Sequence, residues 1–309
     1  MLRERLARIL SGRYALPMTD LFPPFAPDPH EPRRRLVKPV PFRFIAPNLV
    51  TVLALCLGLT AIRLAYEGRL EPPLSYERNL QLAVICIIVA GILDGIDGRL
   101  ARFLKGTSRF GAELDSLSDF VCFGVAPALI LYGFILHHLK GLGWVVALVF
   151  AIASGLRLAR FNVMIDDPNR PEWQKNFFVG MAAPAGAICS LLPIYLHFLG
   201  VPIGSTAAPL ALIYTLGVAF LMVSTVPTYS GKTMGARVPR HWVLPIFVLT
   251  VAFFGLLVSF PFEVLALGTV VFLGTIPISV ARYRRLDRAE ERDRVPESVA
   301  PGSDGPPTL

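Results

Sequence analysis

The stretch LQLAVICIIVAGILDGIDGRLARFLKGTSRFGAELDSLSD, residues 80–119, opens as a transmembrane helix and then departs from what a bilayer tolerates. Residues 80–93 carry no charge, yet Asp94, Asp97, Arg99 and Arg102 follow before the run is long enough to cross. Counting from Leu80 at about 1.5 Å per residue, Asp94 lies about 21 Å into a hydrocarbon core about 30 Å thick. Ionisable groups at that depth are expensive and mark function. Asp94, Asp97, Gly98, Ala101 and Arg102 recur at helical spacing and share one face. Gly111, Asp115 and Asp119 do the same on the next helix, and the short connection 103–110 makes the two helices neighbours. Four carboxylates are therefore expected to converge at one level of the membrane.

Four anions in a low-dielectric pocket repel one another unless protons or cations neutralise them. A donor set of carboxylates without His or Cys selects Mg²⁺, Mn²⁺ or Ca²⁺. Two divalent ions match the formal charge of the four acids and can clamp a phosphoryl group during in-line displacement. Gly98, Ala101 and Gly111 permit close approach of a bulky ligand or helix, and Arg102 can hold a phosphate bidentately. Two non-enzymatic arrangements also place acids here. One is an ion-pair network, for example Asp97 with Arg99 or Arg102, tying the helices together; it leaves several acids unpaired. The other is an ion or proton transporter, which the grouping of the acids at one depth does not favour.

The rest of the chain supplies a membrane setting. Of 309 residues, 54% are apolar and 17% charged, and the mean hydropathy is +0.58, beyond the range of a soluble domain. Apolar blocks near 45–66, 80–104, 113–136, 142–162, 180–199, 206–226, 243–260 and 262–281 predict an all-α, polytopic integral membrane protein of about eight transmembrane helices. The last two contain almost no polar side chains and read as packing or dimerisation elements. Residues 1–44 form a Pro-rich arm and juxtamembrane segment. Within it Leu2, Leu6, Ile9 and Leu10 face away from Arg3, Arg5 and Arg8, as in a helix on an anionic membrane surface or a solvated one. No cleavable leader is expected, because the N-terminus lacks an uninterrupted apolar core. Residues 282–309 read as a disordered tail.

With both termini on one side, 26 Lys and Arg residues fall on that side and 4 on the other, counting each in the loop or helix end nearest to it. This bias places the termini and the even-numbered loops in the cytoplasm, at the cell (inner) membrane. The net charge of +8 is spread over short loops, so no nucleic acid is expected as a partner. Cys56, Cys86, Cys122 and Cys189 are scattered through apolar blocks, without metal-site or disulfide spacing.

Residues 94–119 resemble the signature of the CDP-alcohol phosphatidyltransferases, at Asp94, Asp97, Gly98, Ala101, Arg102, Gly111, Asp115 and Asp119. The likeness covers about residues 45–280. PNLVT at 47–51, RLARFN at 157–162, FVGMAAP at 178–184 and LMVSTVPTYSGK at 221–232 are similar to the serine-using bacterial branch, with Met181 and Ala182 departing from its Gly-Leu-Pro form. The resemblance implies transfer of a phosphatidyl group from CDP-diacylglycerol to the hydroxyl of L-serine, with Mg²⁺ or Mn²⁺ as a pair of divalent cofactors. It further implies that Asp94, Asp97 and Asp115 hold the metals. Asp119 would lie near the second metal and act as general base. Gly98, Arg102 and Ser108 would touch the CDP part of the donor, and Asn48 and Thr51 would border the nucleotide. A homodimer is also implied.

For the acceptor, Arg157 and Arg160 offer a guanidinium fork to the serine carboxylate, Asn162 can assist, and Lys232 can join them. The same cations also suit anchors that snorkel to headgroups. They would equally receive the phosphate of glycerol 3-phosphate or inositol phosphate, and choline is a further acceptor of the same reaction class. His137 and His138 belong to the opposite face and read as interfacial residues.

Overall fold

The computed structural model describes residues 42–67, 72–165, 177–224, 227–229 and 240–294. The arm before Phe42, the end of the tail and Lys232 lie outside the described residues. The described chain is almost wholly helical: α1 (Phe42–Glu67), α2 (Pro73–Phe103), α3 (Arg109–Asp119), α4 (Ala126–Phe134), α5 (Gly141–Ile165), α6 (Ala183–Ser190), α7 (Leu192–Phe198), α8 (Ala208–Val223), α9 (Arg240–Ser259) and α10 (Pro261–Arg294). Among the described residues, one antiparallel ribbon pairs β1 (Phe177–Val179) with β2 (Pro227–Tyr229).

Seven helical stretches are long and apolar enough to cross a membrane, α3 and α4 forming one of them through a π-helical turn at Phe120–Val125. The protein is thus an all-α polytopic membrane protein. The expected fifth span, 180–199, is present as two short helices, because Pro193 lacks the N–H that would continue the ladder. Two carbonyls beside this break accept side-chain hydroxyls. Tyr214 donates its hydroxyl to Cys189 O at 2.7 Å, and Tyr195 donates to Ile188 O at 3.0 Å. The pair still runs between the two ends of the bundle. Its start sits on the end of α8, where Met181 N–H meets Leu221 O, and its far end stacks His197 on Phe134 of α4. At the C-terminus α10 continues to Arg294, beyond the boundary expected at 281, as its run of Ala, Glu and Arg allows.

The core is built from small residues. Ala54, Ala61 and Ala65 of α1 face Ala83, Val84, Ile87 and Ala90 of α2, all buried. In lipid, packing and interhelical hydrogen bonds hold helices together, and small side chains allow both. Gly58 shows the limit: a Cβ there would come within 2.6 Å of Cys122 Sγ. By contrast, every position of α9 from Trp242 to Ser259 is exposed or half-buried within the chain.

Candidate active site

The hairpin between α2 and α3 sets the register of the acids. Lys105 takes a left-handed conformation, φ 51°, which lets Gly106 N–H bond Ala101 O at 2.9 Å and closes α2. Ser108, extended at φ −139°, caps α3 by accepting from Gly111 N–H at 3.0 Å. With the connection fixed at both ends, carboxylate oxygens of Asp94, Asp97 and Asp115 lie within 4.8 Å of one another. Asp119 faces Asp94 from the end of α3, one residue before the π turn.

Helix α1 buttresses this cluster. Thr51, itself buried, donates its hydroxyl to Asp97 Oδ2 at 2.6 Å. Ser118 Oγ donates to Thr51 O at 3.3 Å, and Cys122 Sγ donates to Ala54 O at 3.3 Å. Gly111 is required where it stands, because a Cβ there would lie 2.7 Å from Asn48 Oδ1 and 3.1 Å from Ser108 Oγ. Above the acids is a cavity of about 170 Å³. Asn48, Thr51, Gly98, Arg102 and Ser108 all line it, together with Asp97 and Asp115.

The donor chemistry fits divalent cations. All ligands are carboxylate oxygens, and among the described residues no Lys, Arg or His forms an ion pair with any of the four acids. Clustered carboxylates, Asp97 buried and the others half-buried, with no salt-bridge partner among the described residues call for a cation. A structural ion-pair network of Asp97 with Arg99 or Arg102 is not formed.

Helix α5 closes the other side. Gly124 of the π turn lies against Ser154, and Phe120 packs on Gly155, so α5 approaches the α3–π segment closely. Arg157, buried, is thereby brought within electrostatic reach of Asp119, and its Nε has no hydrogen-bond partner among the described residues. The Arg157 guanidinium also lies 5.5 Å from the centre of the Phe161 ring. Asn162 Nδ2 donates to Ser116 Oγ at 3.0 Å. Arg160 is engaged by the end of α8. It donates to Val223 O at 2.7 Å, Ser224 O at 3.0 Å and Met222 O at 3.4 Å. The bracing by Ser116 and Ser118 and the π turn are not apparent from the sequence; Gly124 and Pro127 are the only local signals of the turn.

A membrane-embedded cluster of acids beside a phosphate-sized cavity with an arginine on its wall defines a class of enzyme, and sequence comparison gives the class its name. The family model described as CDP-alcohol phosphatidyltransferase matches residues 44–226, and a second, CDP-alcohol phosphatidyltransferase 2, matches residues 241–277. The chain belongs to the CDP-alcohol phosphatidyltransferase family. It is 37% identical over 247 residues to the CDP-diacylglycerol–serine O-phosphatidyltransferase of Mycobacterium leprae, covering 78% of this chain and 76% of that protein. The proteins of the same name from Mycobacterium tuberculosis and Helicobacter pylori are 36% and 35% identical, over 80% and 75% of this chain and 82% and 87% of their own lengths.

Proposed function

We propose that this chain transfers the phosphatidyl group of CDP-diacylglycerol to the hydroxyl of L-serine, forming phosphatidylserine and CMP. The observation that carries the reading is the meeting of Asp94, Asp97 and Asp115 oxygens within 4.8 Å beside a cavity walled by Arg102. Its relatives' names supply the serine acceptor. Asp94, Asp97, Asp115 and Asp119 would hold two divalent ions, Mg²⁺ or Mn²⁺, which when bound neutralise the diphosphate and the departing CMP. Arg102 and the backbone around Gly98 and Ser108 receive the donor's diphosphate, while Asn48 and Thr51 border the cytidine.

Asp119 takes the proton from the serine hydroxyl as its oxygen bonds to the phosphatidyl phosphorus and the bond to CMP breaks. Arg157, buried beside Asp119 with a free donor, receives the serine carboxylate. The excess of basic residues on one side supports a site at the cytoplasmic face of the inner membrane, where serine and CMP diffuse. A homodimer belongs to the same proposal.

Release of CMP from CDP-diacylglycerol by the purified protein, with Mg²⁺ or Mn²⁺ and each acceptor in turn, is the test. Serine should support release. Release with glycerol 3-phosphate, inositol phosphate or choline, and none with serine, would reassign the acceptor. Ion or proton flux in proteoliposomes, with inert CDP-lipid chemistry, would reject the class.

A further inference from the structure

Arg157 and Arg160 are one helical turn apart and chemically alike, but the structure gives them different surroundings. The Arg160 guanidinium is spent on the end of α8, where three consecutive carbonyls, of Met222, Val223 and Ser224, have no further turn of helix to bond them. The same place seats the turn that enters α6. Gly180, at φ +77°, is packed so that a Cβ would lie 2.8 Å from both Met222 O and Ser224 O and 3.0 Å from Arg160 Nη2. The ribbon of β1 with β2 extends from this junction. Arg160 therefore ties α5, the Gly180 turn and the end of α8 at one point.

Asn162 supplies a second tie, to Ser116 on α3, next to Asp115. Two residues apart on a helix of 3.6 residues per turn, Arg160 and Asn162 point about 200° apart. The end of α5 is thus held from opposite sides, which fixes its rotation about its own axis. Arg157 lies on the arc between the two ties and is the side chain whose direction this rotation sets.

We propose that Arg160 is a positioning residue that touches no substrate and acts by aiming Arg157 at the acceptor beside Asp119. The inference rests on the reading of Arg157 as the receiver of the serine carboxylate. It assigns the two arginines of the RLARFN segment separate tasks, one of binding and one of alignment. A lysine at 160 keeps the charge but cannot reach three carbonyls, so its charge alone will not restore the alignment.

The test is the kinetics of full-length Arg160→Lys, Arg160→Ala and Gly180→Ala in detergent, following CMP release while serine and CDP-diacylglycerol are varied separately. The KM for serine should rise about tenfold or more in all three, since small misplacements of a binding group carry large penalties. The KM for the donor should stay within about twofold, and Arg160→Lys should be as impaired as Arg160→Ala. In an Arg157→Ala background, Arg160→Ala should add almost nothing to the serine KM. Recovery of serine affinity by Arg160→Lys, or losses at 157 and 160 that multiply, would show direct contact with the acceptor and overturn the proposal. If Arg160→Ala does not accumulate folded, Gly180→Ala decides alone, and an unchanged serine KM there overturns it. A wild-type protein with no serine-dependent release would instead defeat the acceptor reading beneath it.

Discussion

Two places inside this membrane domain expose polar atoms, and their difference separates structure from function. At the break between α6 and α7, Pro193 leaves Cys189 O without a helical donor and the Tyr214 hydroxyl takes it up, while the Tyr195 hydroxyl donates to Ile188 O. Where α2 meets α3, four carboxylates come together with a hydrogen bond from Thr51 to Asp97 but no ion pair among the described residues, Arg157 reaching Asp119 only at longer range. Polar atoms in lipid must be satisfied, and where the protein does so itself the feature is architectural. Where it leaves charge uncompensated and opens a cavity beside it, a ligand completes the site.

That contrast predicts unequal responses to small changes. Asp119→Asn removes the proton acceptor and should lower kcat by about 10²- to 10⁴-fold with donor binding retained, as measured by CMP release and CDP-lipid binding. Equal loss of donor binding would make Asp119 a metal-holding residue only. Thr51→Val removes the hydrogen bond that orients Asp97 and should weaken divalent-ion affinity about 10- to 100-fold, read from activity against metal concentration. Gly111→Ala should raise the donor KM about tenfold, because the new methyl displaces Asn48 and Ser108 in the cavity wall. The smallest effect belongs to the helix break. Tyr214→Phe leaves Cys189 O without its donor and should cost about 1 kcal/mol in detergent unfolding with kcat unchanged. A large kcat loss there would erase the distinction between the two regions.

Much of the site was legible in the sequence because its signal is chemical and local. Acids at helical spacing inside apolar runs place Asp94, Asp97, Asp115 and Asp119 on surfaces that the short hairpin brings together. What was not legible depends on contacts between distant segments. Nothing in RLARFN distinguishes Arg157 from Arg160. Their difference arises from the end of α8, more than 60 residues away, and from the closeness of α5 to the π turn that Gly124 and Gly155 allow. The fifth span was visible as an apolar block and Pro193 was there to divide it, but the tyrosine hydroxyls that satisfy the break come partly from another helix. The helical stretch beyond residue 281 is charged, so composition alone read it as tail although its residues favour helix.

The central claim is that two adjacent helices pool their carboxylates to bind divalent ions. Electron paramagnetic resonance of Mn²⁺ titrated into the purified, chelator-treated protein tests it most directly. The account predicts tight binding of about two ions per chain in the presence of CDP-diacylglycerol, lost in Asp94→Asn and Asp97→Asn variants that remain folded. Undiminished Mn²⁺ binding in those variants, or an active wild-type protein that binds none, would contradict it.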